Sequence, residues 1–229
     1  MSVREREDDK GSNAKGVMVD GDSKKTNGWK SLKEMKEYLR SEFEKKTTTL
    51  ERNEGQTYLH FAAYLGDVDA TKILLIEDKA EVNATDEEYQ WTALHWAAEK
   101  GHVDVAKVLI QNGADVNAVA YEKFTALHMV VQFGHADVAK VLIRNGCDVN
   151  AVDEEEKTAL HHAALNGFAD VAKVLIRSGA DVNAVEKVKQ NALHLAVVGS
   201  ETSRRKKLVE MLKEDGHEEQ YKQKIGKDG

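Results

Sequence analysis

The sequence predicts an all-α fold: a solenoid of stacked helix-turn-helix units with short finger loops, covered at its N-terminal end by one further helix. Three observations predict it. Histidine recurs at His60, His95, His128, His161 and His194, spaced 35, 33, 33 and 33 residues apart. Asparagine recurs in step at Asn83, Asn117, Asn150 and Asn183. Whole segments repeat, since Gly101–Asn117 is nearly copied at Gly134–Asn150 and again at Gly167–Asn183. A unit of about 33 residues cannot enclose a core alone, so each must bury its apolar face on its neighbours.

Along the chain, residues 1–28 are polar, with four glycines and mixed charge, which predicts disorder. Residues 29–47 hold the next element. Ser31 and Glu34 have the spacing of a capping box, and Leu32, Met35, Leu39 and Phe43 follow on one face. This predicts an amphipathic helix near 31–45 that covers the open end of the repeats, with Trp29 packing beside it. The repeat domain spans 48–216 in five units, and 217–229 is a polar tail. In the third unit, Thr125–Phe133 is the first helix and Gly134 ends it. The second helix runs from Asp137 to Asn145, with Val138, Val141 and Leu142 on one face, and Gly146 closes it. The polar segment that follows crosses to the next unit as an extended, hairpin-like finger.

The run Trp91-Thr-Ala-Leu-His-Trp-Ala-Ala-Glu-Lys-Gly-His102, with Asn112-Gly-Ala-Asp-Val-Asn-Ala118, resembles the ankyrin repeat. Five units in phase carry that resemblance over roughly 53–216. It implies that the histidines hydrogen-bond within and between repeats. It also implies that a protein partner is bound by the finger tips and the concave face of the first helices. The chain departs from the family pattern in places. Tyr58, Ala93, Ala126, Ala159 and Ala192 replace the usual proline; alanine is a strong helix former, so the helices should survive. The glycine of the finger turn persists as Gly55 alone, with Gln90, Lys123, Glu156 and Lys189 in its other places. Those fingers must turn without positive φ or accept strain. The first unit has an extra residue, placed at Ile73–Ile76, and Lys79 stands where glycine is expected. It should be the least regular. The fifth has four extra residues in Ser200–Lys207, so its second helix falls at Leu208–Glu214, as in a capping repeat.

Charge narrows the partners. Residues 56–199 hold 12 basic and 21 acidic side chains, a net of −9, within a whole-chain charge of −7. That argues against nucleic acid, whose phosphates need clustered Lys and Arg. No stretch approaches the ~18 apolar residues that span a bilayer, and the first twenty residues lack a secretory apolar run. The single cysteine, Cys147, excludes an intramolecular disulfide and reads as a small core residue in an intracellular, cytoplasmic protein, with nuclear or host-delivered placement left open. The evenly spaced histidines lie a repeat apart rather than around one ion, and zinc needs its ligands ~2 Å from one centre. The runs Asp86–Glu88 and Asp153–Glu156 read as a solvated acidic rim on the fingers. Arg204–Lys207 reads as a solvated basic loop, with a targeting signal as the alternative.

The expected function is therefore non-catalytic, cofactor-free and metal-free: a monomeric module that binds another protein. The candidate contact residues are Tyr64, Tyr89, Trp91, Glu99, Tyr121, Phe124, Phe133, Glu154, Lys157 and Leu165. Trp91 and Phe124 have a competing role, packing against neighbouring fingers. Trp96, Met129 and Leu195 are assigned to the core. The absence of proline, whose codons are GC-rich, hints at an AT-biased genome, which raises the alternative of a secreted effector of an intracellular bacterium. A structural scaffold is the second alternative. An enzyme confined to residues 1–55 would be too short to form its own domain.

Overall fold

Thr92, Thr125 and Thr158 each lie in extended backbone directly before an alanine that opens a helix, and a glycine in left-handed conformation ends that helix eight residues on. This punctuation, repeated, builds the fold. The computed structural model describes Trp29, residues 31–46, 57–198, Lys206 and 208–210. Helix α1 is Leu32–Lys46. Four helix pairs follow: α2 (Tyr58–Leu65) with α3 (Val68–Ile76), α4 (Ala93–Lys100) with α5 (Val103–Gln111), α6 (Ala126–Phe133) with α7 (Ala136–Arg144), and α8 (Ala159–Asn166) with α9 (Ala169–Arg177). Helix α10 (Ala192–Val198) opens the fifth unit. The first helices α2, α4, α6, α8 and α10 pack side by side in one row, the second helices α3, α5, α7 and α9 form a row behind them, and α1 packs on α2.

The core lies between the rows. Leu94, Leu127 and Leu160 from the first helices meet Leu109, Leu142 and Leu175 from the second, and all are buried. Small residues at Ala62, Ala97, Val130 and Ala163 are also fully buried, which lets neighbouring first helices approach. At roughly 25 cal/mol per Å² of apolar surface, this periodic burial is the main favourable term, and every unit needs its neighbours to realise it.

The glycines that end the first helices have a second constraint. A Cβ on Gly66 would lie 2.6 Å from the His102 ring, one on Gly101 2.6 Å from His135, and one on Gly134 2.8 Å from Phe168. Each ring comes from the next repeat. The Nε2–H of His102 donates to the Tyr64 carbonyl at 3.0 Å, and that of His135 to the Glu99 carbonyl at 2.9 Å. Glycine is thus required for backbone handedness and for inter-repeat contact at once.

The expected boundaries shift slightly. Thr125 caps α6 instead of belonging to it, and α7 starts at Ala136 and stops at Arg144. The extra residue of the first repeat is not in Ile73–Ile76. Helix α3 keeps the same nine residues as α5, α7 and α9, and the surplus enters the turn Glu77–Lys79, where the other repeats have two residues such as Asn112 and Gly113. A helix cannot absorb one residue without rotating its apolar face, whereas a turn can. Lys79 takes the glycine's conformation, with φ of 54°.

At the N-terminal end, Met35 and Leu39 of α1 are fully buried, and the Ser31 hydroxyl accepts the Glu34 amide at 3.2 Å. Trp29 packs at a tilt against Tyr38 with ring centres 4.6 Å apart. At the other end Leu208 is buried at the start of the expected second helix. The remainder of that helix, residues 1–28, the tail, the Phe43 side chain, Gly55, and Arg204, Arg205 and Lys207 lie outside the described residues. No described helix is long and apolar enough to cross a membrane.

Candidate functional site

The fingers are where the structure departs most from the sequence reading. Asp86 and Asp153 are not part of a solvated rim; they are 1% and 3% exposed. The Asp86 carboxylate accepts the amides of Tyr89 at 2.9 Å and Trp91 at 3.2 Å, and its other oxygen accepts the Trp96 indole N–H at 3.2 Å. Asp153 accepts the amides of Glu155 and Lys157 at 2.8 and 2.9 Å, and its second oxygen meets His162 Nε2 at 2.7 Å. Glu186 does the same in the fifth finger, accepting from Val188 and Gln190 at 2.9 Å. Burial pushes the Asp153 carboxyl up, but His162 and the finger amides outweigh it and hold it below the usual range. These acids close fingers that lack a turn glycine. Gln90, Lys123, Glu156 and Lys189 then sit at φ of 54–65°, the strained alternative that the sequence left open.

The third finger is the exception that explains the rule. Ala120 occupies the acid's place there, and Met129 the place of Trp96 and His162. With no carboxylate to gather its amides, this finger forms a 3₁₀ turn at Tyr121–Lys123, and Glu122 also becomes left-handed. Adjacent fingers are tied by single bonds, Tyr121 N–H to Tyr89 O at 2.9 Å, Glu154 N–H to Glu122 O at 3.0 Å, and Lys187 N–H to Glu155 O at 3.2 Å.

The repeated histidines anchor the base of each finger. In His95, Nδ1 accepts from the Thr92 amide at 3.2 Å, while Nε2 donates to the Phe124 carbonyl, 3.3 Å away in the next repeat. His128 and His161 do the same with Lys157 and Gln190, and the His60 Nε2 donates instead to Ala84, at the start of the second finger. A carbonyl only accepts, so Nε2 carries the proton; an amide only donates, so Nδ1 is bare. Each ring is therefore neutral, in one tautomer. Burial pushes His95 and His128 down to about 4. At the opposite end of the repeats, asparagines stitch the stack. Asn117 Oδ1 accepts the Asp148 amide at 2.7 Å and its Nδ2 donates to Gly146 O at 3.3 Å, a pattern shared by Asn83 and Asn150.

On this frame, four aromatic rings form a chain. Tyr89 lies 5.5 Å from Trp91, Trp91 4.7 Å from Trp96, and Trp96 5.6 Å from Tyr64. Lys100 Nζ stands 4.5 Å above the Tyr64 ring and 3.0 Å from a Glu99 oxygen. The Glu88 carboxylate, accepting from the Tyr89 hydroxyl, raises that phenol above its ordinary value. Among the expected contact residues, Tyr64, Tyr89, Trp91 and Glu99 are thus brought together. Phe124 is half-buried between the rings of His128 and His162, 5.5 Å from each, so it packs between neighbouring repeats. Tyr121 is 63% exposed on its finger, and Phe133 is 49% exposed at the end of α6, stacked on His135. Glu154 is exposed, Lys157 is half-buried, and Leu165 packs partly against the core. Trp96, Met129 and Leu195 are buried as expected. Cys147 is buried, and burial with the nearby Asp148 pushes its thiol up to about 11, far from a reactive thiolate.

Two residue sets escaped the sequence reading: the locking acids and their Trp96 and His162 partners. The signal was present. The acids recur at 86, 153 and 186 on the repeat period, with Ala120 in the one missing place.

A stacked array of paired helices, linked by bridged fingers and displaying side chains along one row, defines a repeat scaffold for recognition. The sequence model for ankyrin repeats matches in three copies over residues 27–120 and 127–223. The chain belongs to the ankyrin repeat family, whose members are generally protein-interaction modules and typically non-catalytic. No curated protein matches the chain.

Proposed function

We propose that this protein is a monomeric, non-catalytic module that binds another protein through its finger tips and the exposed side of its first helices. The observation that carries this reading is the exposure of Tyr121 and Phe133, two large aromatic side chains held on otherwise well-packed repeats. Exposed aromatics on a rigid frame bind with little loss of conformational freedom, and such residues often dominate interface energy. Val119 and Val152, 60% and 45% exposed on the third and fourth fingers, add apolar surface to the fingers. Glu154 and Lys157 supply a charged border to it. Trp91 and Phe124 support the surface from beneath, since both are wedged between other rings.

The test is affinity capture from cell lysate, with mass spectrometry, using wild type and the Tyr121→Ala/Phe133→Ala variant. Both side chains are exposed, so circular dichroism and melting temperature should be unchanged. A partner captured by wild type and lost by the variant supports the reading. Equal capture by both moves the contact away from this surface and overturns it.

A further inference from the structure

Glu99 presents an anomaly beside the aromatic chain. Its Oε1 is bonded by Lys100 at 3.0 Å, whereas Oε2 is buried and has no hydrogen-bond partner among the described residues. The side chain is 13% exposed, so little of this carboxylate reaches solvent. Buried carboxylate oxygens without donors are rare, because the group keeps its desolvation cost. Lys100 is a single-point donor on a flexible stem. It meets one oxygen and rests its ammonium on the Tyr64 ring. It cannot bridge both oxygens in the manner of a planar guanidinium.

We propose that the face formed by Glu99 and Tyr64, over the buried Trp96, is a binding site for an arginine side chain of a partner protein, with Lys100 as an internal stand-in that the arginine displaces. The inference rests on the protein-interaction reading above and names the chemistry of its partner. Three features converge on arginine. The two Glu99 oxygens match the guanidinium fork, and the fork supplies the donor that Oε2 lacks. The Tyr64 ring, backed by the buried Trp96 5.6 Å away, offers a π face for the cation, and Lys100 already occupies it. The surrounding repeats are strongly acidic, 12 basic against 21 acidic residues over 56–199, which favours approach of a basic segment over an acidic one. Lys100 is 33% exposed and its side chain is held by one ion pair and the Tyr64 ring, while Gly101 caps the helix, so the side chain can swing away without unfolding the helix end.

The test is titration of the full-length, ¹⁵N-labelled chain with acetyl-Gly-Arg-Gly-amide, its lysine analogue, its citrulline analogue and its glutamate analogue. The readouts are the amide signals of Glu99 and Lys100 and the indole signal of Trp96. The expected result is a saturable shift with the arginine peptide, at least threefold weaker binding of lysine, and no saturation with citrulline, its neutral isostere. Lys100→Met, which removes the stand-in and leaves Glu99 intact, should tighten arginine binding at least threefold. Glu99→Gln should abolish saturation. Equal responses to arginine and citrulline, a preference for the glutamate peptide, or unchanged arginine binding in a folded Glu99→Gln variant overturns the proposal. The wild-type comparison of arginine with citrulline decides the matter even if Glu99→Gln does not fold. If the arginine peptide fails while capture still depends on Tyr121 and Phe133, this inference falls and the protein-interaction reading stands.

Discussion

Mild acid should destabilise this protein through its histidines before its carboxylates titrate. His95 and His128 each accept an amide hydrogen at a bare Nδ1, so protonation there removes a bond and places a charge in the core. Burial holds both near 4, against 6.5 in the unfolded chain; Asp86 beside His95 and Asp153 beside His128 pull the other way, and His162 depresses His128 further. The sign follows from proton counting. Between pH 6.5 and 4 the unfolded chain binds protons that the folded chain refuses, so stability falls as pH falls through that window. At pH 5 each site loses about 2 kcal/mol, and the two together about 4 kcal/mol, a large part of a marginal ~5–15 kcal/mol. His60 and His161, also depressed by burial, act in the same direction. The assay is urea unfolding followed by circular dichroism at pH 7.5, 6, 5.5 and 5. Carboxylates contribute little there, since Asp153 and Glu186 lie below their usual values and act at lower pH. Stability at pH 5 within about 1 kcal/mol of that at pH 7.5 would refute the neutral-histidine argument.

Three further outcomes are expected. Gly101→Ala should cost about 2–4 kcal/mol, combining a left-handed backbone with a Cβ 2.6 Å from His135, whereas Gly113→Ala, left-handed in open space, should cost about 1–2 kcal/mol; paired melting curves decide. Asp153→Ala should lose about 2–4 kcal/mol, as two finger amides and His162 lose their acceptor, and hydrogen exchange should quicken at Glu155 and Lys157; unchanged exchange there would contradict the lock. Asn117→Ala should lose about 1–2 kcal/mol by urea unfolding through the Asp148 and Gly146 bonds, and no loss would mean that the stitch is redundant.

Much of this architecture was legible because a 33-residue period reports local chemistry repeated. Thr before, glycine after and an apolar stripe between specify a short helix wherever they occur, so α4, α6 and α8 were readable from any one copy. The asparagine and histidine rows were visible as spacing, and the family resemblance supplied the bonding role of the histidines alone. The acidic fingers were misread because an Asp-Glu-Glu run looks the same whether its first carboxylate faces solvent or the loop's own amides.

By itself, then, the sequence determined the repeat and the helix pairs. The tertiary structure decided what depends on bringing separate units together. It set which carbonyl each histidine ring meets 24–29 residues away. It tucked Phe124 between two histidines, left Tyr121 and Phe133 outside, and buried one Glu99 oxygen with no donor among the described residues. Exposure is a property of neighbours, and in a solenoid the decisive neighbour is the next copy of the repeat.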